Sequence, residues 1–428
     1  MKHIPYWLYI DSYVHISIKK SGALLYNPLN GNILEYSCND ENKTILSLIR
    51  KLSTFKNHRV ISLTPEQATQ VETVKFIEQL RINFMGDVIE KSASSVKPFQ
   101  VIPYVKIQRD MNILKKNPNT SPGDKMMTYL DELIIFINNR CSQSCPSCDR
   151  YFLQVPCCTA KPAGESILSP RQIASILEET RGSHLDAIHI SGGDILSYPY
   201  WDELEPLLEK TDTPVFFYIH YLNIVEHPGR LNLFKKDRLT VRIPVIFPFD
   251  EEKMKRAFLN LYEAGIQYDL IAIIQSNEEY ALLREILERL SDSVSIPGVM
   301  YLPFYNGSNT GFFKDIFYVT RGDFKDKRPQ NRDIYVNSTL NRVFFGKLWI
   351  KADGSVYSNL HSSKIGKIGE YSVYDCVFRE LQRGESWWKT RKRVLPCKNC
   401  NYEGLCPSIS AYNYAIGRYD LCFLSQDN

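Results

Sequence analysis

An α/β fold, a parallel sheet covered by helices, is predicted by three observations. Between residues 133 and about 305, six apolar strand-like runs alternate with helical patterns. The runs are continuously apolar, as strands buried on both faces are. The chain has 428 residues, which at roughly 150 per domain leaves room for two to four domains. Residues before 96 and after 335 change character, which sets the sheet region apart from its flanks.

Each element has its own signal. Val14–Lys19 alternates apolar and polar, the period of a half-buried strand. Ser21-Gly22 turns it into Ala23–Asn27, and Asn30-Gly31 turns that into Ile33–Tyr36. Ile45, Leu48, Ile49 and Leu52 then form one helix face, with Asn39 or Asp40 placed as cap. Thr64-Pro65-Glu66-Gln67 reads as a capped start for a further helix, burying Val71, Val74, Ile77 and Leu80. Residues 1–95 form a small domain of three strands and then helices, and 96–130, with the polar run KKNPNTSPGDK, a linker.

From 131 to 335 the expected strands are Leu133–Asn138, Ala187–Ser191, Val215–Tyr221, Thr240–Phe247, Tyr268–Ile274 and Ser295–Tyr301. Helices are expected over Ser169–Glu178, Trp201–Glu209, Glu251–Ala264 and Asn277–Leu290. In 336–428 Gly, Asn and Cys increase and the periodicity weakens. That composition predicts a small domain held by metal in place of a large core.

Composition narrows the function. Lys plus Arg is 52 against 48 for Asp plus Glu, a net charge of +4, too even for a nucleic-acid coat or a polybasic membrane anchor. The longest apolar stretches, such as Leu133–Ile137, fall far short of the roughly 18 residues of a bilayer span. The N-terminus lacks the apolar core of a signal peptide, so a cytoplasmic protein is expected. The 11 cysteines are odd in number and clustered. In a reducing compartment that pattern points to metal, not to a disulfide framework.

Cys141, Cys145 and Cys148 follow the first sheet strand with spacing Cys-x3-Cys-x2-Cys. Three thiolates on one loop can hold three irons of a four-iron cluster and leave the fourth open. A zinc site would lack its fourth local ligand. Ser191-Gly192-Gly193-Asp194 follows the second strand. This pair of motifs resembles the radical S-adenosylmethionine (radical SAM) superfamily. The resemblance implies a partial (β/α)6 TIM-like barrel over 131–335. It also implies a 4Fe-4S cluster on Cys141, Cys145 and Cys148, and SAM held by Gly192, Gly193 and Asp194. The family has Gly-Gly-Glu there; Asp is one methylene shorter but keeps the carboxylate for the SAM ammonium. Ser147 also departs, where the family often has an aromatic residue.

Cys397, Cys400, Cys406 and Cys422 supply four thiolates, enough to saturate a four-iron cluster or a zinc. With the hairpin-like Lys351–Tyr357, they resemble the SPASM domain, a C-terminal iron–sulfur extension of radical SAM enzymes that is related to twitch domains. Where full SPASM domains place cysteines for their first auxiliary cluster, this chain has Ser358, Asn359 or Leu360, and Ser410. One auxiliary cluster is therefore expected, two 4Fe-4S clusters in all. Cys376 is unassigned, and Cys38, Cys157 and Cys158 read as ordinary buried thiols. His189 and His220 read as packed strand histidines. Arg242, Gln275, Ser276 and Asn277 are candidates to contact SAM, Asn277 equally as a helix cap. Trp387-Trp388 reads as packing for the metal domain. No general acid or base is singled out.

The N-terminal strand–helix order resembles the PqqD-like, winged-helix recognition element that binds leader segments of ribosomally made precursor peptides. Its third strand, Ile33–Tyr36, is the expected free edge, and the helix from Pro65 the other wall of a groove. Proline at Leu34 tests that edge if the Leu34 N–H faces outward. The whole order resembles radical SAM/SPASM peptide maturases, including maturases and pseudo-maturases of Bacteroidales type. The resemblance implies a peptide-modifying oxidoreductase. It would form a cross-link such as a thioether or C–C bond by 5′-deoxyadenosyl-radical hydrogen abstraction, fed by flavodoxin or ferredoxin. The competing class is a catalytically silent partner subunit that presents the leader to another maturase. Neither nucleic acid nor membrane is an expected partner.

Overall fold

The structure is a computed structural model and describes residues 5–93, 96–101, 123–143, 145–146, 148–157, 164–296 and 298–424. Most of the segment read as a linker, together with Ser147 and Cys158, lies outside the described residues.

The N-terminal region contains β1 (Tyr6–Ile10), β2 (His15–Lys19), β3 (Gly22–Tyr26), β4 (Ile33–Ser37), α1 (Lys43–Ser53), β5 (Val60–Leu63), α2 (Pro65–Ala68), α3 (Val71–Ile82) and β6 (Gly86–Glu90). Two antiparallel three-stranded sheets form, β2-β3-β4 and β5-β1-β6. The sequence predicts only the first. The second joins residues 51 to 84 positions apart (Tyr9 pairs with Val60, Tyr6 with Glu90), so no local turn signals it. Leu8, Ile10, Ile49, Leu52, Phe76 and Leu80 pack into a core of this region's own residues.

Local details correct the sequence reading. The residue before α1 is Asn42, whose side chain makes no capping bond, while Asn39 Oδ1 accepts from the Asn42 N–H. Thr64 and Gln67 do form a reciprocal capping box, but α2 lasts one turn before α3 begins. The buried face of α3 is Thr73, Phe76, Ile77 and Leu80, whereas Val71 is 78% and Val74 39% exposed.

β4 is an edge strand. Asn27 N–H donates to Asn32 O and Cys38 N–H to Ser21 O, so in the 25:34 register Leu34 also faces β3. The outward donors are Ile33 and Glu35. Proline at Leu34 would break the sheet itself.

Next come β7 (Glu132–Phe136), α4 (Cys148–Gln154), α5 (Pro170–Glu179), β8 (Ala187–Ser191), α6 (Trp201–Glu209), β9 (Val215–Tyr218), α7 (Tyr221–Glu226), β10 (Leu239–Ile246), α8 (Glu251–Glu263), β11 (Tyr268–Ile274), α9 (Asn277–Ser291) and β12 (Val299–Pro303). Then follow α10 (Thr310–Phe317), α11 (Arg321–Lys327), α12 (Asn331–Thr339), β13 (Lys347–Ile350), β14 (Ser355–Tyr357), β15 (Gly366–Lys367), α13 (Val373–Arg383) and α14 (Ala411–Ile416). The last expected sheet strand starts four residues late, at Val299.

Mixed α/β structure is thus built on one large sheet, ordered β12-β11-β10-β9-β8-β7-β13-β14-β15. β7 to β12 are parallel and in chain order. Leu133, Ile135, Ile188, Ile190 and Val241 face the helices, against Ile173, Leu204, Phe258 and Leu283. The other face carries Tyr218, Ile246, Ile271 and Ile273, covered by Tyr151 of α4 and by Phe304. This second apolar face is why the strands read as continuous runs.

β13 pairs in parallel with β7, and β13-β14 is the expected hairpin. The sheet therefore runs on past residue 336. Met126, Met127 and Leu130, at the end of the expected linker, join the main core. Trp387 and Trp388 also pack there against Phe345, not on the C-terminal cysteines. Cys376 is a core thiol whose pKa burial pushes up to about 12. Among the described residues, no helix is long and apolar enough to cross a membrane.

Candidate functional site

β7 and β8 are neighbours, and their C-terminal ends carry the two motifs. Phe136 pairs with Ser191, and the Ile137 N–H donates to Ser191 O at 2.9 Å. Beyond that point the backbones stay together. Gly193 N–H lies 3.1 Å from both Asn138 O and Asn138 Oδ1. The Asp194 N–H donates to Arg140 O at 2.5 Å, and Asn138 Nδ2 donates to Asp194 O at 2.9 Å.

The glycines are required by this contact. A Cβ at Gly193 would lie 1.8 Å from Arg140 O; at Gly192, whose φ is +148°, it would lie 2.6 Å from Asn138 O. The glycine run and the cysteine loop therefore form one backbone unit. Asn138 and Asn139 are buried, and Asn139 ties the loop to Gly164 O and to the Ser166 N–H. Sequence reasoning missed both; their only signal is position, directly before Arg140-Cys141.

Cys141, Cys145 and Cys148 are all partly accessible. Cys148 opens α4, and its N–H donates to Cys145 O at 3.3 Å. Tyr151, one turn along α4, is buried; burial raises its phenol pKa, and charge on Cys157, Cys145 and Cys148 adds to the rise. Gln143 reaches from the loop to Asn223 Oδ1 at 3.0 Å and Glu226 Oε1 at 3.3 Å on α7.

Asp194 is 5% exposed. Its Oδ1 accepts from the Leu196 N–H and caps a 3-10 turn, while Oδ2 lies 3.6 Å from His227 Nε2. Burial raises its pKa, and the Leu196 N–H opposes that rise. The carboxylate thus has a structural role that the motif alone does not reveal.

The other strand and loop candidates have structural partners of their own. His220 caps α7 through Nδ1, and burial lowers its pKa to about 4. Ser276, not Asn277, caps α9. The Gln275 N–H donates to Glu279, and its side chain accepts from Asn306 Nδ2. His189 and Arg242 lie together on the sheet face away from Ile188 and Ile190, with Arg242 NH1 3.1 Å from Tyr218 OH. Cys157 is buried against Tyr151, its carbonyl accepting from Ser191 Oγ, and Cys38 is exposed.

The C-terminal thiols share one cavity of about 260 Å³, lined by Cys397, Cys400, Cys406 and Cys422. Arg391 NH1 lies 3.7 Å from Cys397 Sγ, and the Tyr402 N–H donates to Cys400 Sγ at 3.4 Å. Burial raises the pKa of Cys397, Cys400 and Cys406; Arg391 offsets this at Cys397 and Cys406, the Tyr402 N–H at Cys400. As thiolates these groups would raise one another further, so the site favours a cationic group between them. Among the described residues, no three His, Cys, Asp or Glu side chains converge on a single ion position. The donors instead ring a space. Ser358 and Asn359 are buried, Asn359 accepting from the His361 N–H, and Ser410 forms a capping box with Asn413 on α14. Local structure thus occupies the positions that lack cysteine.

The β2-β3-β4 sheet backs onto this cavity, an arrangement the sequence does not predict. Leu24 and Tyr26 pack with Phe324, Tyr402, Leu405 and Cys406. Lys19 Nζ is 3.1 Å from Glu403 Oε1, and Tyr402 OH donates to Glu35.

No protein-family model and no curated protein matches the sequence. Among solved structures, Streptococcus suis SuiB bound to S-adenosylmethionine is similar at 15% identity and a TM-score of 0.43, covering 97% of this chain and 100% of that one. SuiB bound to precursor peptide SuiA gives 13% and 0.41, covering 97% and 98%. Native anSMEcpe with bound AdoMet gives 14% and 0.45, covering 64% and 88%. At these identities and scores the likeness assigns nothing to this chain.

Proposed function

We propose that this chain is a radical SAM enzyme that modifies a ribosomally made precursor peptide. The observation that carries the proposal is the backbone unit at the ends of β7 and β8. Gly192, Gly193 and Asp194 are locked against Asn138–Arg140, directly before Cys141, which opens the segment carrying Cys145 and Cys148. Two motifs about 50 residues apart are thereby held as one site at the C-terminal edge of a parallel sheet, where loops of such sheets carry chemistry.

The donor set fits the implied groups. Three partly accessible thiols on one loop suit a four-iron cluster with one open iron. The buried Asp194 carboxylate, with Glu226 brought to the loop by Gln143, suits a ligand ammonium. When bound, the cluster and SAM supply the radical that abstracts hydrogen from the peptide. The chain's own part is to hold both groups with the 138–148 loop and the 192–194 run.

Four thiols ringing about 260 Å³ suit a second, auxiliary 4Fe-4S cluster better than one ion. The N-terminal region is the leader-binding module, with the outward N–H groups of Ile33 and Glu35 offered by edge strand β4. α3 packs beside that strand through Tyr36, whose OH donates to Gln79 at 2.7 Å. A cytoplasmic location with a flavodoxin- or ferredoxin-type electron donor completes the reading.

Iron analysis and electron paramagnetic resonance of the anaerobically reconstituted chain test the assignment. About eight irons per chain are expected, with SAM shifting the signal of one reduced cluster only. Cys145→Ala should lose the SAM-responsive signal and keep the other. About four irons plus one zinc would overturn the auxiliary-cluster assignment; a signal indifferent to SAM would overturn the first.

A further inference from the structure

A second feature lies on the sheet face away from the main helices. It is a cavity of about 460 Å³ between β7–β12, the end of α4 and the C-terminal region. That volume is in the range of small-ligand sites. Phe152, Phe216, Leu302, Phe344 and Trp349 supply apolar wall, and none of its lining residues comes from the cysteine loop or the glycine run. α4 joins the two places, with Cys148 as its first residue and Gln154, on the cavity wall, as its last. Six residue steps at a rise of about 1.5 Å put them roughly 9 Å apart along the helix.

Charged groups converge on this apolar space. Lys347 Nζ is 3.0 Å from Glu132 Oε2, which also lies 3.4 Å from His189 Nε2. Burial opposes ionisation of Glu132, but His189 and Lys347 outweigh it and hold the pKa down to about 2. Burial keeps His189 neutral by lowering its pKa. Glu132 is therefore the carboxylate partner of Lys347.

Arg242 is paired only loosely. Its guanidinium stacks 3.6 Å above the Phe216 ring and donates one N–H to Tyr218 OH, while the nearest carboxylate oxygen, on the half-exposed Asp269, is 3.8 Å from Nε. Arg242 Nε is buried and makes no hydrogen bond, whereas the neighbouring His189 Nε2 faces Glu132 Oε2. His189 has a residual exposure of 7%. A buried guanidinium donor left unpaired beside an apolar cavity is costly unless a ligand supplies the acceptor.

We propose that this cavity is a substrate pocket that takes one apolar or aromatic peptide residue and holds its adjoining carboxyl or carbonyl oxygen on Arg242. The peptide identity of the ligand rests on the proposed function; the pocket chemistry does not. The oxygen has two possible sources, a terminal carboxylate or an internal peptide carbonyl. A guanidinium donates to either, and more strongly to the carboxylate. The aromatic wall selects the side chain.

Calorimetry on the reconstituted full chain without SAM tests this, with N-acetyl-L-phenylalanine and N-acetyl-L-phenylalaninamide as probes. At least one should bind saturably; binding of the carboxylate alone indicates a chain terminus, binding of the amide as well an internal residue. Arg242→Met should weaken the bound probe about tenfold or more, the scale of a charge-assisted bond, and Arg242→Lys should restore part of that loss. Met300→Trp provides a second test, since Met300 lines the cavity yet is 48% exposed, so added bulk fills the pocket without a core defect. It should abolish binding while leaving the melting temperature unchanged. Saturation by neither probe, or affinities that ignore both Arg242→Met and Met300→Trp, would overturn the pocket. SAM cleavage by the same sample is read separately, so failure of the pocket and failure of the radical SAM reading are distinguishable.

Discussion

At the scale of single residues, the candidate site depends on atoms that carry no reactive chemistry. Asn138 is 1% exposed and bonds the 192–194 run through both its side-chain nitrogen and its side-chain oxygen. Asn138→Ala leaves the Gly193 N–H one acceptor and removes one of the three donors to Asp194 O, the other two being the Ser197 N–H and hydroxyl, so urea unfolding should show a loss of about 1 kcal/mol. Gly193→Ala drives a methyl into Arg140 O and should cost about 1–3 kcal/mol while weakening SAM binding. His220 adds a pH dependence. Its folded pKa of about 4 lies below the ordinary 6.5, so the unfolded chain binds more protons between those values. Its contribution is fully present above pH 6.5 and is lost as pH falls toward 4, by up to about 1.4 kcal/mol per unit. Urea unfolding of His220→Gln across that window should show a shallower loss than the parent.

Among elements, the reach of each signal decided what was legible. Ala187–Ser191 and Tyr268–Ile274 were readable to the residue, because each is an apolar run bounded by polar residues. The capping box at Thr64 was legible too, but it opens the one-turn α2 and not the longer helix expected there. β1, β5 and β6 were not legible, since their pairing is long-range and β6 (GDVIE) has little apolar character. The zipper between the two motifs was hidden for the same reason; sequence shows that glycines are present, and only the fold shows Arg140 O beneath one of them. Two predictions belong here. Ile33→Pro removes an outward donor at the first residue of edge strand β4, where proline is tolerated. It should weaken leader binding by the full chain with little change in stability, as read by fluorescence anisotropy with a labelled leader. Lys19→Met leaves the Glu403 carboxylate, 7% exposed, without its cation. Urea unfolding should show a cost of about 3 kcal/mol, and the contact between the N-terminal sheet and the cysteine cavity should become protease-accessible.

For the whole molecule, the large sheet couples the C-terminal cysteines to the rest of the chain. β13 pairs with β7, the strand that leads into the first cysteine loop, so residues beyond 336 are continuous with the main sheet. Cys397→Ala with Cys400→Ala should therefore lower the melting temperature of the chain as one transition in circular dichroism, besides halving its iron. The loop at 141–148 and the run at 192–194 are proposed to form a working radical SAM centre. Its most direct measurement is 5′-deoxyadenosine released from SAM by the anaerobically reconstituted, dithionite-reduced chain, with Cys145→Ala as control. Deoxyadenosine and methionine are expected in equal amounts from the parent, and neither from the variant. A parent that binds its clusters and SAM yet releases no deoxyadenosine, with or without its peptide, would contradict this proposal and leave a leader-presenting subunit.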